Sequence, residues 1–279
     1  MKNIFMMCNG RTGSTFLSHH FPETDDNVFH VHEFWSMHTP YFWETVRKVQ
    51  SVSGGQTPDS FVKFLSNVYD PPVEGEKRVK PRLAKFPYTL NMLTDTIKLV
   101  QQNTEAKYFI HKNIHYSNVL GGWSQEDVVK ISDIVIINYR KSILDCWISN
   151  VRARESQIWV TETYNKKYDK RVFFDPARFV RFAKRYISEY EAIKKAIKKH
   201  NKPHIVIEYE TFYKQPNSID YLGNKLKSVG VEDINLIAPE MIKQAFPRDH
   251  YENNFTKPET FIKSYPRIKK YTRYKFESS

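Results

Sequence analysis

Five short apolar segments constrain the fold of this chain more than any other feature of its sequence. They run from Lys2 to Cys8, Asn27 to Phe34, Lys107 to Asn113, Asp133 to Arg140 and His204 to Glu210. Strands that are buried on both faces lack polar alternation, and such strands form parallel sheets covered by helices. Amphipathic patterns separate the five segments, so the order of elements predicts a three-layer α/β fold with a central, mainly parallel sheet.

Helical patterns fill the sequence between the predicted strands. They cover residues 40–50, 58–69, 90–102, 124–132, 142–158, 176–200 and 218–229. Ser14 suits the N-cap of a short helix that ends before Pro22, and Ser124 with Asp127 has the pattern of a capping box. Residues 70–87, rich in Pro, Lys and Arg, have the composition of a surface loop. We predict one domain over residues 1–279, with residues 250–279 forming a basic aromatic tail or lid.

The charge and the cysteine content restrict the partners and the setting of the chain. Its 279 residues carry a formal net charge of +12, which favours nucleic acid, a membrane surface or a polyanionic small molecule. Cys8 and Cys146 are too few and too far apart for a disulfide framework or a CxxC metal pair. No segment approaches the roughly 20 apolar residues of a membrane helix, and no signal peptide is recognisable. We therefore expect a cytoplasmic protein without a membrane span.

A glycine loop follows the first predicted strand. The segment GRTGST, from Gly10 to Thr15, lies between an apolar run and a short predicted helix. Backbone N–H groups converge in such a loop and bind anions, and the dipole of the following helix adds a favourable potential. A Walker A loop has four residues between its glycines, followed by Lys and Ser or Thr, whereas only Arg11 and Thr12 separate Gly10 from Gly13. The loop therefore predicts an anion site of another kind.

The same segment resembles the 5′-phosphosulfate loop of the sulfotransferases that use 3′-phosphoadenosine 5′-phosphosulfate (PAPS). That loop carries Lys or Arg, then Ser or Thr, then Gly and two hydroxyl residues. The resemblance implies that the phosphosulfate is held by Arg11, Thr12, Gly13, Ser14 and Thr15. It also implies the nucleotide-triphosphate-hydrolase-like fold of this family, and the likeness is greatest to its bacterial and carbohydrate-type branches.

Two later segments resemble other signatures of the same family. In these enzymes an Arg at a strand end and a Ser eight residues later hold the 3′-phosphate of PAPS. Here Arg140 and Ser149 match with a spacing of nine, and the spacing from Lys141 is eight, so either cation fits the pattern. The segment VIEYETFYKQP resembles the YEDL segment of the family, in which Tyr lies against the adenine and Glu supports the site. The resemblance implies these roles for Tyr209 and Glu210.

The candidates for catalysis lie near three predicted strand ends. Sulfuryl transfer requires a cation near the bridging oxygen and a base for the acceptor proton, and Arg11 suits the cation role. The segment HVHEFW resembles an HEFF-like segment of one bacterial branch, in which the Glu is the base, so Glu33 is our first candidate. Cytosolic members carry Lys-Thr-His, with that His as base; here Ile114 stands two residues after Lys112, and His115 is the alternative base. The resemblance also implies that Lys112 contacts the sulfuryl or bridging oxygens.

Three further histidines lie in the second and third predicted strands. Strand alternation places His30 and His32 on the face opposite to Glu33. Their spacing also allows a two-histidine metal pair, but no third ligand motif matches, so we expect no metal. We interpret His111 as structural.

The sequence therefore predicts a sulfotransferase that moves a sulfuryl group in line from PAPS, without a metal, to a hydroxyl or amine of a small molecule or glycan. A nucleotide-dependent small-molecule kinase is one alternative, but the loop lacks the Walker lysine that a kinase of this class needs. A basic nucleic-acid-binding protein is the other alternative. Its only support is the net charge, so we expect no nucleic-acid partner.

Overall fold

The structure is a computed structural model, and it describes residues 1–23, 25–32, 40–56, 90–114, 124–156, 174–239 and 266–277. Its centre is a sheet formed by β1 (Lys2–Cys8), β2 (Val28–Val31), β3 (Tyr108–Ile114), β4 (Ile134–Tyr139) and β5 (His204–Glu208). The strands lie in the order β2-β3-β1-β4-β5, and every neighbouring pair is parallel. The predicted α/β architecture with a parallel sheet is therefore confirmed.

Helices follow the strands along the chain. They are α1 (Ser14–Ser18), α2 (Pro40–Val52), α3 (Leu90–Asn103), α4 (Gln125–Ile131), α5 (Ile143–Ser156), α6 (Pro176–Lys199), α7 (Tyr209–Phe212), α8 (Ser218–Lys227) and a 3₁₀ helix over Pro266–Tyr271. The longest of them, α6, has a proline in its first turn, and the carboxylate of the N-cap Asp175 accepts a hydrogen bond from the backbone of Arg178. Both features favour a helix start at this point.

Alternate residues of each strand belong to two separate cores. Phe5 and Met7 of β1 pack with residues of α2 to α6, whereas Ile4 and Met6 pack with residues of α1, α7 and α8. All four side chains are fully buried. The sheet is thus the middle one of three layers, and burial of both its faces explains why its strands lack polar alternation.

One helix cap differs from the prediction and another agrees with it. The cap of α1 is Gly13, with a left-handed φ of 74°, and no side chain caps this helix. Ser14 was wrongly predicted as the cap, because the tight glycine turn brings it already into the first helical turn. The capping box of Ser124 and Asp127 at the start of α4 is confirmed. The predictions for residues 58–69 and 70–87 lie outside the described residues.

The chain continues in opposite directions from two neighbouring strands. After β1 it goes to β2, which lies beyond β3, and after β4 it goes to β5 on the other side. Such a reversal opens a crevice at the carboxyl ends of the strands, where ligands bind in sheets of this class. Cys8 at the end of β1 pairs with Asn138 of β4, so the loops that follow these strands are adjacent.

Candidate functional site

The loop after β1 makes a tight turn that is anchored to β4. Arg11 and Gly13 have φ angles of 68° and 74°, both in the left-handed region. Thr12 is fully buried, and its hydroxyl lies 2.8 Å from the carbonyl oxygen of Asn9 and 2.9 Å from the side-chain oxygen of Asn138. The Thr12 side chain therefore fixes the loop, and its hydroxyl points into the protein.

Arg11 contacts the helix that follows β4. Its Nε donates a hydrogen bond of 2.8 Å to Oγ of Ser149 on α5. Its carbonyl oxygen accepts a 3.5 Å bond from Sγ of Cys146, and burial raises the pKa of this thiol to about 12, so the thiol keeps its proton at neutral pH. Two of the predicted site residues, Arg11 and Ser149, are thus in direct contact.

Arg140 lies at the end of β4, against the ring of Tyr209. The guanidinium carbon is 4.8 Å from the ring centroid, and the side chain is 18% exposed. Its nitrogens lie 3.6 Å from the carboxylate of Asp145 and 3.8 Å from that of Glu210. Burial opposes the positive charge, but nearby acidic groups, Cys146 first and then the two carboxylates among them, outweigh burial and raise the pKa of Arg140. Arg140 is therefore charged at any physiological pH.

The carboxylate of Glu210 occupies the start of α5. Its two oxygens accept hydrogen bonds of 2.9 Å from the backbone N–H groups of Lys141 and Ser142. A negative group is favourable there because it faces the positive end of the helix dipole. The Lys141 side chain is exposed to solvent, whereas Arg140 faces Tyr209. Of the two cations that the sequence spacing left open, Arg140 is the one that lies between the loops.

The ring of Tyr209 connects the two loops of the crevice. A Cβ atom added to Gly13 would lie 2.3 Å from Cδ2 of Tyr209, so the ring lies directly against the glycine. No other residue type fits this position without displacing the ring. Gly13, Tyr209 and Arg140 therefore form one continuous row of contacts from the first loop to the loop after β4.

Lys112 brings a positive group to the other side of the glycine loop. It belongs to β3, which pairs directly with β1, and only 1% of the residue is exposed. Its Nζ donates a hydrogen bond of 3.1 Å to Oγ1 of Thr15 in α1. A cation that is buried to this degree requires polar or anionic partners. The structure thus joins Lys112 to one of the residues predicted to hold the phosphosulfate.

The histidines near this lysine form a neutral, hydrogen-bonded cluster. Ser18 Oγ lies 3.0 Å from Nε2 of His30 and 3.0 Å from Nδ1 of His32, and the two rings are 4.2 Å apart. Both histidines therefore lie on one side of the sheet, whereas Glu33, which was predicted on the opposite face, lies outside the described residues. Burial is the main reason why the pKa of His30 lies well below its ordinary value and that of His32 is lowered to about 3. The part of the chain that the structure describes has no group of three or more metal-ligating side chains.

His111 lies in the core on the other face of the sheet. Its ring is 5.5 Å from that of Phe5, and the residue is fully buried. Burial lowers its pKa to about 3. This position agrees with the structural role predicted for His111.

Two tyrosines of α6 hold both loops, and sequence reasoning did not find them. The hydroxyl of Tyr190 donates a 2.6 Å bond to the carbonyl oxygen of Asn138 and accepts a 3.2 Å bond from the N–H of Asn9. The hydroxyl of Tyr186 donates to the carbonyl oxygen of Arg140 and accepts from its N–H, both over 2.8 Å. Their spacing of four residues on an amphipathic helix is the available sequence signal. It is typical of buried aromatics, and it does not show what their hydroxyl groups bind.

The two candidate bases, Glu33 and His115, lie outside the described residues. The chain matches no protein-family model, and no curated protein matches it either. Among the described helices none is both long enough and apolar enough to cross a membrane.

Proposed function

We propose that this protein is a PAPS-dependent sulfotransferase that uses the crevice between the ends of β1 and β4. The observation that carries this proposal is the hydrogen bond between Arg11 and Ser149. The sequence resemblance gives Arg11 to the 5′-phosphosulfate and Ser149 to the 3′-phosphate. Because the two residues touch, one nucleotide of ordinary size can reach both.

The charges at the crevice favour an anionic ligand. Asp145 and Glu210 lie too far from Arg140 for good hydrogen bonds, and within the described chain Nε of Arg140 has no hydrogen-bond partner. A buried donor without a partner is costly, whereas a phosphate accepts two parallel hydrogen bonds from a guanidinium group. In this proposal the guanidinium of Arg140 and the hydroxyl of Ser149 both donate to the 3′-phosphate. Tyr209 lies between the loops, where the adenosine that joins the two phosphates would pass.

The residues on the other side of the loop suit the transfer step. The sulfuryl group moves in line from the phosphate oxygen to the acceptor oxygen or nitrogen, and negative charge develops on the departing phosphate. Arg11 stabilises that charge, while Lys112, held at Thr15, neutralises charge on the sulfuryl or bridging oxygens. Glu33 removes the acceptor proton, with His115 as the alternative base. The sulfuryl group carries a single negative charge, so the reaction does not depend on a metal.

The acceptor in this proposal is a hydroxyl or amine of a small molecule or glycan. The test is an assay with PAPS labelled in its sulfuryl group, offered with panels of phenols, sugars and amines in the presence of EDTA. We expect label to appear in at least one acceptor class, at a rate that EDTA does not lower. If label instead moves only from γ-labelled ATP, and only with magnesium, the protein is a kinase and the proposal is wrong.

A further inference from the structure

The described C-terminal residues 266–277, here called the C-terminal strap, lie beside the turn that carries Arg140. The N–H of Ile143 donates a 3.0 Å bond to the carbonyl oxygen of Thr272, and the N–H of Tyr274 donates a 3.0 Å bond to the carbonyl oxygen of Lys141. Between these two bonds, Ser142 and Arg273 form an antiparallel bridge. The strap therefore pairs with residues 141–143 as a short strand would.

The backbone groups of the turn between β4 and α5 have hydrogen-bond partners on two sides, Glu210 on one and the strap on the other. Glu210 accepts the N–H groups of Lys141 and Ser142, as described above. The strap bonds to two further backbone groups of the turn, the carbonyl of Lys141 and the N–H of Ile143, while the carbonyl of Ser142 accepts from the N–H of Cys146. The residue Ile143 is buried, so loss of the strap leaves its N–H without this acceptor.

Tyr274 is one of the strap side chains that pack on the rest of the molecule, beside the buried Ile268 and Phe276, and it is the one nearest to the paired residues 141–143. Its hydroxyl donates a 2.8 Å bond to Glu191 of α6. Its ring stacks on that of Tyr190, with centroids 5.7 Å apart and planes at 25°, and meets those of Tyr139 and Tyr186 edge to face. Tyr186 and Tyr190 are the residues that hold the backbones of Arg140, Asn138 and Asn9, so the strap packs on the supports of both loops.

We propose that Tyr274 is a positioning residue. It holds the Arg140 guanidinium where that group can contact the 3′-phosphate of the nucleotide. This inference rests on the proposed function for its ligand. Tyr274 has no contact with the ligand in this account. It acts by holding the turn at residues 141–143, and through the turn it fixes where the Arg140 guanidinium lies.

The test compares 3′-phosphoadenosine 5′-phosphate (PAP) with adenosine 5′-phosphate by calorimetry, in the full chain. Tyr274→Ala should lower the preference for PAP about tenfold while adenosine 5′-phosphate binds within about twofold of wild type, a loss of the size of one charge-assisted hydrogen bond. Tyr274→Phe keeps the ring stack and should keep the preference. Leu226→Ala, a fully buried substitution in the core on the opposite face of the sheet, controls for general destabilisation and should also keep the preference.

A second readout follows the turn without any nucleotide. Amide hydrogen exchange at Ile143 should be faster in Tyr274→Ala than in wild type or in Leu226→Ala, because its acceptor is the strap. Unchanged exchange at Ile143, or an unchanged PAP preference in Tyr274→Ala, overturns the positioning role. If the wild-type protein binds the two nucleotides equally, the proposed function is wrong, and the exchange measurement alone decides whether the strap holds the turn.

Discussion

The guanidinium of Arg11 and the hydroxyl of Ser149 are joined by a 2.8 Å hydrogen bond across 138 positions of sequence. The bond links the loop after β1 to the second turn of α5. Because these two segments carry the two halves of the predicted nucleotide site, their contact determines how far apart the two anionic ends of a ligand can lie.

Replacing Arg11 should abolish transfer without unfolding the protein. Arg11→Ala removes the cation that the proposed mechanism places beside the departing phosphate, so we expect kcat to fall by about 100-fold or more even at saturating PAPS. Initial rates over a PAPS series measure this. Ser149→Ala removes a hydroxyl that accepts from Arg11 and that the proposal assigns to the 3′-phosphate, so it should mainly weaken PAPS binding, by about fivefold, the size of one hydrogen bond. Equal losses of kcat in both variants would contradict the separate roles.

Adding one methyl group at Gly13 should displace Tyr209. Gly13→Ala combines a positive φ with a contact of 2.3 Å to the Tyr209 ring, whereas Gly230→Ala has nearly the same φ, 75°, and open space around the new atom. The control should lose about 1 kcal/mol of unfolding free energy from backbone strain alone. Gly13→Ala should lose roughly 1–3 kcal/mol more from overpacking, and should also bind PAP more weakly. Urea unfolding of the two variants measures the difference, and equal losses would show that the ring does not lie against the loop.

Lys112 should matter for turnover more than for stability. Lys112→Met keeps the length of the side chain and removes a charge that is buried in the protein, so the unfolding free energy should change by less than about 1 kcal/mol or increase. Turnover should fall about 100-fold, since the proposed mechanism uses this charge at the sulfuryl or bridging oxygens. Lys107→Met, at an exposed lysine one residue before β3, is the control and should leave both quantities unchanged. A large loss of unfolding free energy, with normal turnover per folded molecule, would show that Lys112 has a structural and not a catalytic role.

The buried histidines should make the protein sensitive to acid. The pKa values of His32 and His111 are lowered to about 3 in the folded state, below the ordinary value of 6.5. Between these values the unfolded chain binds protons that the folded chain does not, so stability is complete above pH 6.5 and falls as the pH falls toward 3. Each of these two histidines lowers the free energy of unfolding by roughly 1.4 kcal/mol for every pH unit below about 6. Urea unfolding at pH 7.5 and pH 5.5 should show this loss, and His111→Gln should reduce the slope; a slope that His111→Gln leaves unchanged would contradict the assignment.

The sheet was predictable from the sequence because both of its faces are buried. Strands such as β1 and β4 have no polar alternation, and this pattern alone indicates a parallel sheet between two layers of helices. The bounds of α6 were also predictable, because Pro176 suits the first helical turn and the apolar period continues to the last turn. These features depend on residues that are close together in the sequence.

The contacts that assemble the candidate site depend on residues that are far apart in the sequence. No local pattern indicates that Tyr190 holds Asn138 and Asn9, or that Tyr274 packs on Tyr190. The choice between Arg140 and Lys141 was open for the same reason, since it depends on which side chain meets Tyr209. The sequence resemblance proposes which segments form the candidate site, and the positions of the described side chains come from the tertiary structure.

Calorimetric titration with PAP and with adenosine 5′-phosphate tests the central claim most directly, because the two ligands differ only in the 3′-phosphate. We predict that the wild-type protein binds PAP at least tenfold more tightly, a difference of about 1.4 kcal/mol, that Arg140→Ala loses this preference, and that Lys141→Ala keeps it. Equal binding of the two ligands by the wild-type protein, or an unchanged preference in Arg140→Ala, would contradict a site that holds both ends of one nucleotide.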